Sequence, residues 1–198
     1  MSETYELETV EENAVCPDLD LRIRAHLEQC FPDSPEKFQI RRVWHNVSPE
    51  YTILAHRKLH DDSTQLVGHV AVVVRTITTT WNWRYNVASI QGVSVAEQCR
   101  HAGLALRMLA LALEEARRRS YDYAVLFCKE PLVSFYEKQG WRLTDDSVIM
   151  RNEQDCPIKM RSNCPMYKEL TEKPFPEGPV DVHNPEQVGM AKRGVDKI

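Results

Sequence analysis

Residues 88–105 read Ala88-Ser-Ile-Gln-Gly-Val-Ser-Val95-Ala-Glu-Gln-Cys-Arg100-His-Ala-Gly-Leu-Ala105. Ala88–Val95 is apolar and alternating, as a strand is, with Gly92 inside it. From Leu104 the period changes. Leu104, Met108, Leu111 and Glu115 follow one row, and Leu106, Leu109, Leu113 and Ala116 the next, which predicts a helix over Gly103–Ser120 with a wide apolar face. Arg117, Arg118 and Arg119 close its last turn, where cations complement the dipole. A small-residue loop between strand and helix is an anion site, because the free N–H groups of the first turn converge there. Arg100 adds a full charge, and Gly103 and Ala105 keep the surface low enough for a backbone to touch a pyrophosphate. An ordinary strand-to-helix turn is the competing reading.

Upstream, Leu66–Thr80 is the strongest strand signal, rich in valine and threonine. Tyr51–Arg57 is a strand joined to it through the polar turn His60–Thr64, and Phe38–Trp44 reads as another strand. Pro17–Phe31 reads as the first helix, with Asp18 and Asp20 at its start. Downstream, Tyr121–Cys128 has the length of a buried strand, parallel to Tyr85–Val95 through a right-handed crossover. Pro131–Gln139 is a short helix with Gly140 as its cap. Trp141–Leu143, Ser147–Met150 and Cys164–Glu169 complete the strands. The expectation is an α/β (α+β) fold with a mixed, mostly antiparallel central sheet. A bulge at Gly92 would splay its one parallel pair and leave backbone groups near Val93 and Val95 for an extended, amide-bearing ligand such as pantetheine.

The chain has 198 residues, 42% hydrophobic and 27% charged, which suits one soluble domain. The net charge of −4 argues against nucleic-acid binding. Seven acids and no base fall within residues 1–20. Residues 1–15 therefore read as a flexible acidic arm, 16–170 as the domain and 171–198 as a proline-rich extended tail. No apolar stretch is long enough to span a membrane, and no basic and apolar leader opens the chain, so a cytoplasmic protein is expected. The six cysteines lack a Cys-x-x-Cys pair, so neither a zinc ribbon nor any metal is expected, and free thiols are.

A third clue is Ser134-Phe-Tyr136-Glu-Lys-Gln-Gly140-Trp141. Together these stretches resemble the GNAT superfamily of N-acetyltransferases. Val95, Arg100, Gly103 and Ala105 match the loop pattern V-x-x-x-x-R/Q-x-x-G-x-G/A, and Phe135, Tyr136, Gly140 and Trp141 match F/L-Y-x-x-x-G-F/W. The match is firm over Leu66–Leu143. Val67-Gly68-His69 and Phe175–Asp181 look like a subgroup near the aminoglycoside 2′-N-acetyltransferases and NodA-type N-acyltransferases. Departures are Glu97 where the family often has Pro, His101 where it often has Gly, and Lys129 where many members carry Asn.

The resemblance implies the GNAT fold, with acetyl-CoA or another acyl-CoA as co-substrate. It implies direct transfer of the acyl group to a small-molecule primary amine. Cofactor contacts would come from Val93, Ser94, Val95, Arg100, His101, Ala102, Gly103, Leu104, Ala105, Lys129 and Ser134. The Val93 N–H would polarise the thioester carbonyl and Tyr136 would act as general acid. His69 is a candidate base, beside a wire of waters. Trp81, Trp83 and Tyr85 are candidate substrate walls. Cys128 invites a covalent acyl-enzyme alternative, though no partner for it is evident. An aminoglycoside-like polyamine would want acids, for which Asp145, Asp146, Glu153 and Asp155 are candidates. A long-chain acyl donor and a non-catalytic acyl-CoA-binding module are the alternatives, and a homodimer stays open.

Overall fold

The computed structural model describes residues 4–44, 47–59, 61, 63–79, 81, 83–144, 148–151, 157–158, 163–183 and 195–197. Asp145, Asp146, Glu153, Asp155 and Cys156 lie outside them.

The elements run β1 (Tyr5–Glu11), α1 (Pro17–Cys30), β2 (Tyr51–Lys58), β3 (Thr64–Thr79), β4 (Trp83–Val95), α2 (Leu104–Arg118), β5 (Tyr123–Lys129), α3 (Val133–Glu137), β6 (Arg142–Leu143), β7 (Val148–Arg151), β8 (Pro157–Ile158), β9 (Asn163–Glu169), β10 (Val180–His183) and β11 (Val195–Lys197). The strands form one sheet in the order β6-β9-β5-β4-β3-β10-β7-β8, with β1 on β2, β2 on β3 and β11 on β4. The register is mostly antiparallel. The pair β4–β5 is parallel, in register at Ala88↔Ala124 and Ser89↔Val125. This is the expected mixed α/β fold, with the parallel pair β4–β5 where the crossover rule placed it.

The chain divides into two compact units, 1–73 with 90–114, and 74–89 with 115–198. In the first, Ile23 and Leu27 of α1 meet Phe38 and Leu54. Phe31, Phe38 and Trp44 close on one another within about 5 Å, two of the three contacts edge-on. Met108 of α2 lies so close to Gly68 that a Cβ there would sit 2.8 Å from its Sδ, so β3 carries glycine where the helix crosses it. The Tyr51 hydroxyl donates to the Ala112 carbonyl at 2.8 Å. In the second unit, Ile77, Val87, Tyr123, Val125 and Val182 form the core, with Tyr85, Phe127, Tyr167 and Phe175 packed around it.

Three segments differ from expectation. Tyr5–Glu11 is a strand, in register with β2 from Tyr5↔Arg57 to Glu11↔Tyr51. Its acids are matched across the pair, Glu6 to Lys58 and Glu8 to His56, both at 2.8 Å. Residues 39–44 are not a strand. A 3₁₀ turn spans Pro35–Phe38, and side-chain contacts from other elements anchor the residues after it. The Trp44 N–H donates to Gln91 Oε1, and Arg42 pairs with Glu12 and Asp20. Within the expected tail, Val180–His183 is strand β10, paired antiparallel to β3 and parallel to β7.

Candidate active site

Local backbone chemistry shapes the candidate site residues of the first unit. Gly92 sits at φ +59, a conformation open to glycine inside an extended strand. The His69 Nδ1–H donates to the Gly92 carbonyl at 2.9 Å, because that carbonyl can only accept. A Cβ on Gly92 would meet His69 Cε1 at 3.1 Å. The strand end is tied down by the Ala96 N–H donating to the Val67 carbonyl at 2.8 Å.

The loop after β4 is exposed from Arg100 to Gly103, while Cys99 and Leu104 plug inward. His101 and Gly103 are both left-handed, at φ +67 and +70. His101 thus occupies, at a conformational cost, a conformation that suits glycine. A Cβ built on Gly103 meets nothing within 4 Å. Its backbone therefore faces open space at the start of α2, where first-turn N–H groups lack acceptors. The Arg100 Nε–H donates to the Val95 carbonyl at 3.3 Å, which holds the guanidinium beside the loop. Bare backbone, a helix start and an adjacent cation fit a pyrophosphate.

Beside this strand lies a cluster that no sequence motif marks. His26 Nε2 lies 3.0 Å from Ser94 Oγ and 3.6 Å from Cys30 Sγ. The signal was present as His26 and Cys30 at helical i,i+4 spacing, but nothing in the sequence shows that α1 meets Ser94. Burial, partly offset by the contact to Ser94, lowers His26 to about 4.

His69 is fully buried, and burial, against the opposing pull of the Gly92 carbonyl, pushes its pKa down to about 3. A ring so placed is neutral at pH 7 and a poor proton sink. Its geometry suits positioning the Gly92 carbonyl. Both histidines bind protons more weakly folded than unfolded, where the ordinary value is 6.5. Their neutral forms contribute stability above pH 6.5, and this is lost as pH falls towards about 3. His69→Gln keeps a donor for Gly92 and removes one of these protonations. The expected result in urea titrations is a smaller loss of midpoint between pH 7 and pH 4.5 than wild type shows. An equal loss would remove His69 from the acid transition.

In the second unit, Tyr136 sits on α3, 6% exposed, edge-on to Phe135 and Trp141. Gly140 at φ +77 ends this helix, and the Trp141 N–H returns to the Tyr136 carbonyl at 3.2 Å. Burial, with Cys128 nearby, raises the phenol well above its ordinary range, so it stays protonated. Cys128 is buried, its Sγ 3.7 Å from Met166 Sδ, and burial raises its thiol. That environment disfavours the thiolate an acyl-enzyme would need. Lys129 and Ser134 are exposed.

Of the three expected aromatic walls, Tyr85 packs edge-on to Tyr123 at 5.5 Å, Trp83 is half-buried, and Trp81 is 77% exposed. Trp81→Ala should change stability by no more than about 0.5 kcal/mol, the usual range for exposed positions. A larger fall in thermal unfolding would mean that the indole packs. Val93, Ser94, Val95, Arg100–Ala105 and His69 thus belong to the first unit. Trp81, Trp83, Tyr85, Lys129, Ser134 and Tyr136 belong to the second.

Among the described residues, no group of three or more His, Cys, Asp or Glu side chains could hold a metal, the described cysteines are free thiols, and no helix is long and apolar enough to cross a membrane.

Known structures share this fold at low identity. The GNAT family N-acetyltransferase YhbS of Escherichia coli, solved in complex with CoA, superposes with a TM-score of 0.59 at 15% identity, covering 96% of this chain and 93% of its own. An acyl-CoA N-acyltransferase from Pseudomonas aeruginosa gives 0.56 at 13%, covering 83% and 99%. An aminoglycoside 6′-N-acetyltransferase complexed with coenzyme A gives 0.53 at 15%, covering 86% and 99%. No curated protein sequence matches significantly. The family model for the acetyltransferase (GNAT) domain matches residues 21–144, well over half of the 198, and with the strand, loop and helix described above it shows that this chain belongs to the GNAT acetyltransferase family.

Proposed function

We propose that this protein is an acyl-CoA-dependent N-acyltransferase that moves an acetyl group from acetyl-CoA to a primary amine of a small molecule. The observation that carries the reading is the loop at the start of α2. Gly103 is left-handed and bare, beside Arg100 and after a strand kinked at Gly92. The structural neighbours solved with CoA support the same co-substrate.

In this reading Arg100–Ala105 hold the pyrophosphate through backbone N–H groups and the Arg100 charge. Lys129 and Ser134 are proposed as further polar contacts to the co-substrate. The Val93 N–H donates to the thioester oxygen and stabilises charge that develops there. His69, by holding the Gly92 carbonyl, fixes the kink that presents Val93. Tyr136 donates a proton to the departing thiolate. A simple thiol has a pKa of about 8.5, below that of the buried phenol. The proton therefore moves only as the thiolate forms in a dry site, and Tyr136 is otherwise kept in its acid form. The amine must arrive neutral, and a water-borne path takes its proton, since His69 is fully enclosed and burial lowers its pKa.

The test is calorimetry of the full chain with CoA and with acyl-CoAs of increasing chain length, followed by thiol release with an amine library. Binding of acetyl-CoA with amine-dependent thiol release is expected. A preference for long chains would make the donor a fatty acyl-CoA. Binding without thiol release would make the chain a non-catalytic module, and no binding at millimolar CoA would overturn the reading.

A further inference from the structure

We infer that the amine acceptor carries a carboxylate and that Arg75 of β3 receives it. This rests on the N-acyltransferase reading above. Arg75 is 1% exposed. Among the described residues its Nε and Nη2 have no hydrogen-bond partner, and both atoms are buried. The other well-buried arginines are paired: Arg42 with Glu12 and Asp20, and Arg119 with Glu115. Removal from water lowers the Arg75 pKa to about 10, so it remains a cation at neutral pH, and no carboxylate among the described residues offsets it. An enclosed cation without a counter-charge is strongly unfavourable. Its natural complement is an anion that comes and goes.

The orphaned atoms say which anion. Nε–H and Nη2–H share one edge of the guanidinium, and their two parallel bonds match the two oxygens of a carboxylate. One positive charge balances one carboxylate, whereas a phosphate dianion would leave an enclosed net negative charge. The next residue on the same face of β3 is Ile77, which belongs to an apolar cluster flanked by Tyr85, so that direction supplies no competing acid. A lone enclosed cation also disfavours polycationic acceptors of the aminoglycoside kind. The acceptor class that fits is an amino-acid-like molecule, a primary amine with a carboxylate at its other end.

Two measurements on the full chain test this. The first is thermal unfolding with acetate, propionate or γ-aminobutyrate, against chloride and butylammonium at matched ionic strength. The carboxylates should raise the wild-type melting temperature and the controls should not. Arg75→Met should melt no lower than wild type in chloride, having lost an unpaired charge, and should ignore the carboxylates. Arg75→Lys, which keeps the charge without the fork, should respond weakly. If no carboxylate exceeds its control, or if Arg75→Met melts several degrees low in chloride, Arg75 is a structural residue and the inference fails. The second measurement is thiol release from acetyl-CoA with amines paired as acid and decarboxylated analogue. The wild type should favour the acid by about 10–100-fold in kcat/KM, the scale of hydrogen bonds to a charged group, and Arg75→Met should level the ratio. Turnover indifferent to the carboxylate overturns the inference and leaves the N-acyltransferase reading standing. No turnover with any amine overturns that reading, while the unfolding experiment still decides Arg75.

Discussion

Tyr136→Phe lowers the turnover number by about 10²–10⁴-fold, the usual contribution of a general acid, and leaves the CoA dissociation constant unmoved. The barrier change corresponds to roughly 3–5 kcal/mol. The substitution removes one oxygen and keeps the ring, so the edge-on contacts with Phe135 and Trp141 survive and the fold should too. The phenol's environment sharpens the expectation. Burial and the neighbouring Cys128 raise its pKa, so the wild type should hold its activity to higher pH than an ordinary phenol would allow. The same shift has a sign for stability: the unfolded phenol ionises first, so the contribution is complete below the ordinary tyrosine value and is lost as pH rises past it. The Phe variant should lose both alkaline effects. If it turns over within about threefold of wild type, against the loss expected of a general acid, the proton comes from water or another group, and Tyr136 is a packing residue of α3.

What was legible in the sequence was local. The strand before Val95, the helix from Leu104 and the capped turn at Gly140 are written in period, glycine and composition, and each formed where those signals lie. What failed to show was pairing at a distance. Glu6 and Glu8 look like a solvated acidic arm until Lys58 and His56 are placed opposite them. Arg42 and Trp44 sit in a stretch with strand-like composition, but their partners are Glu12, Asp20 and Gln91, on other elements. His26 next to Ser94, and Arg75 enclosed without a counter-ion among the described residues, are likewise products of packing that no spacing rule encodes. His69 shows the same limit from the other side. Its position was readable, but its full burial was not.

Gly103→Val is expected to raise the CoA dissociation constant by at least about 10²-fold, the loss of some 3 kcal/mol of binding, while the protein still folds. Two effects must be separated. At φ +70 any L-residue is strained, which costs about 1–2 kcal/mol and should lower the melting temperature by a few degrees. A Cβ there meets no protein atom within 4 Å, so nothing in the core is displaced. The same open space is where a pyrophosphate would lie against the backbone, and the two methyl groups of valine would fill it. Gly103→Asn gives the control, because asparagine tolerates the left-handed conformation but still projects a side chain into that space. Its stability should be nearer wild type and its CoA affinity nearly as poor as valine's. Calorimetry with CoA and thermal unfolding without it read the two effects apart. If both variants bind CoA normally, the phosphates do not rest on this loop, and its left-handed backbone serves only to turn β4 into α2.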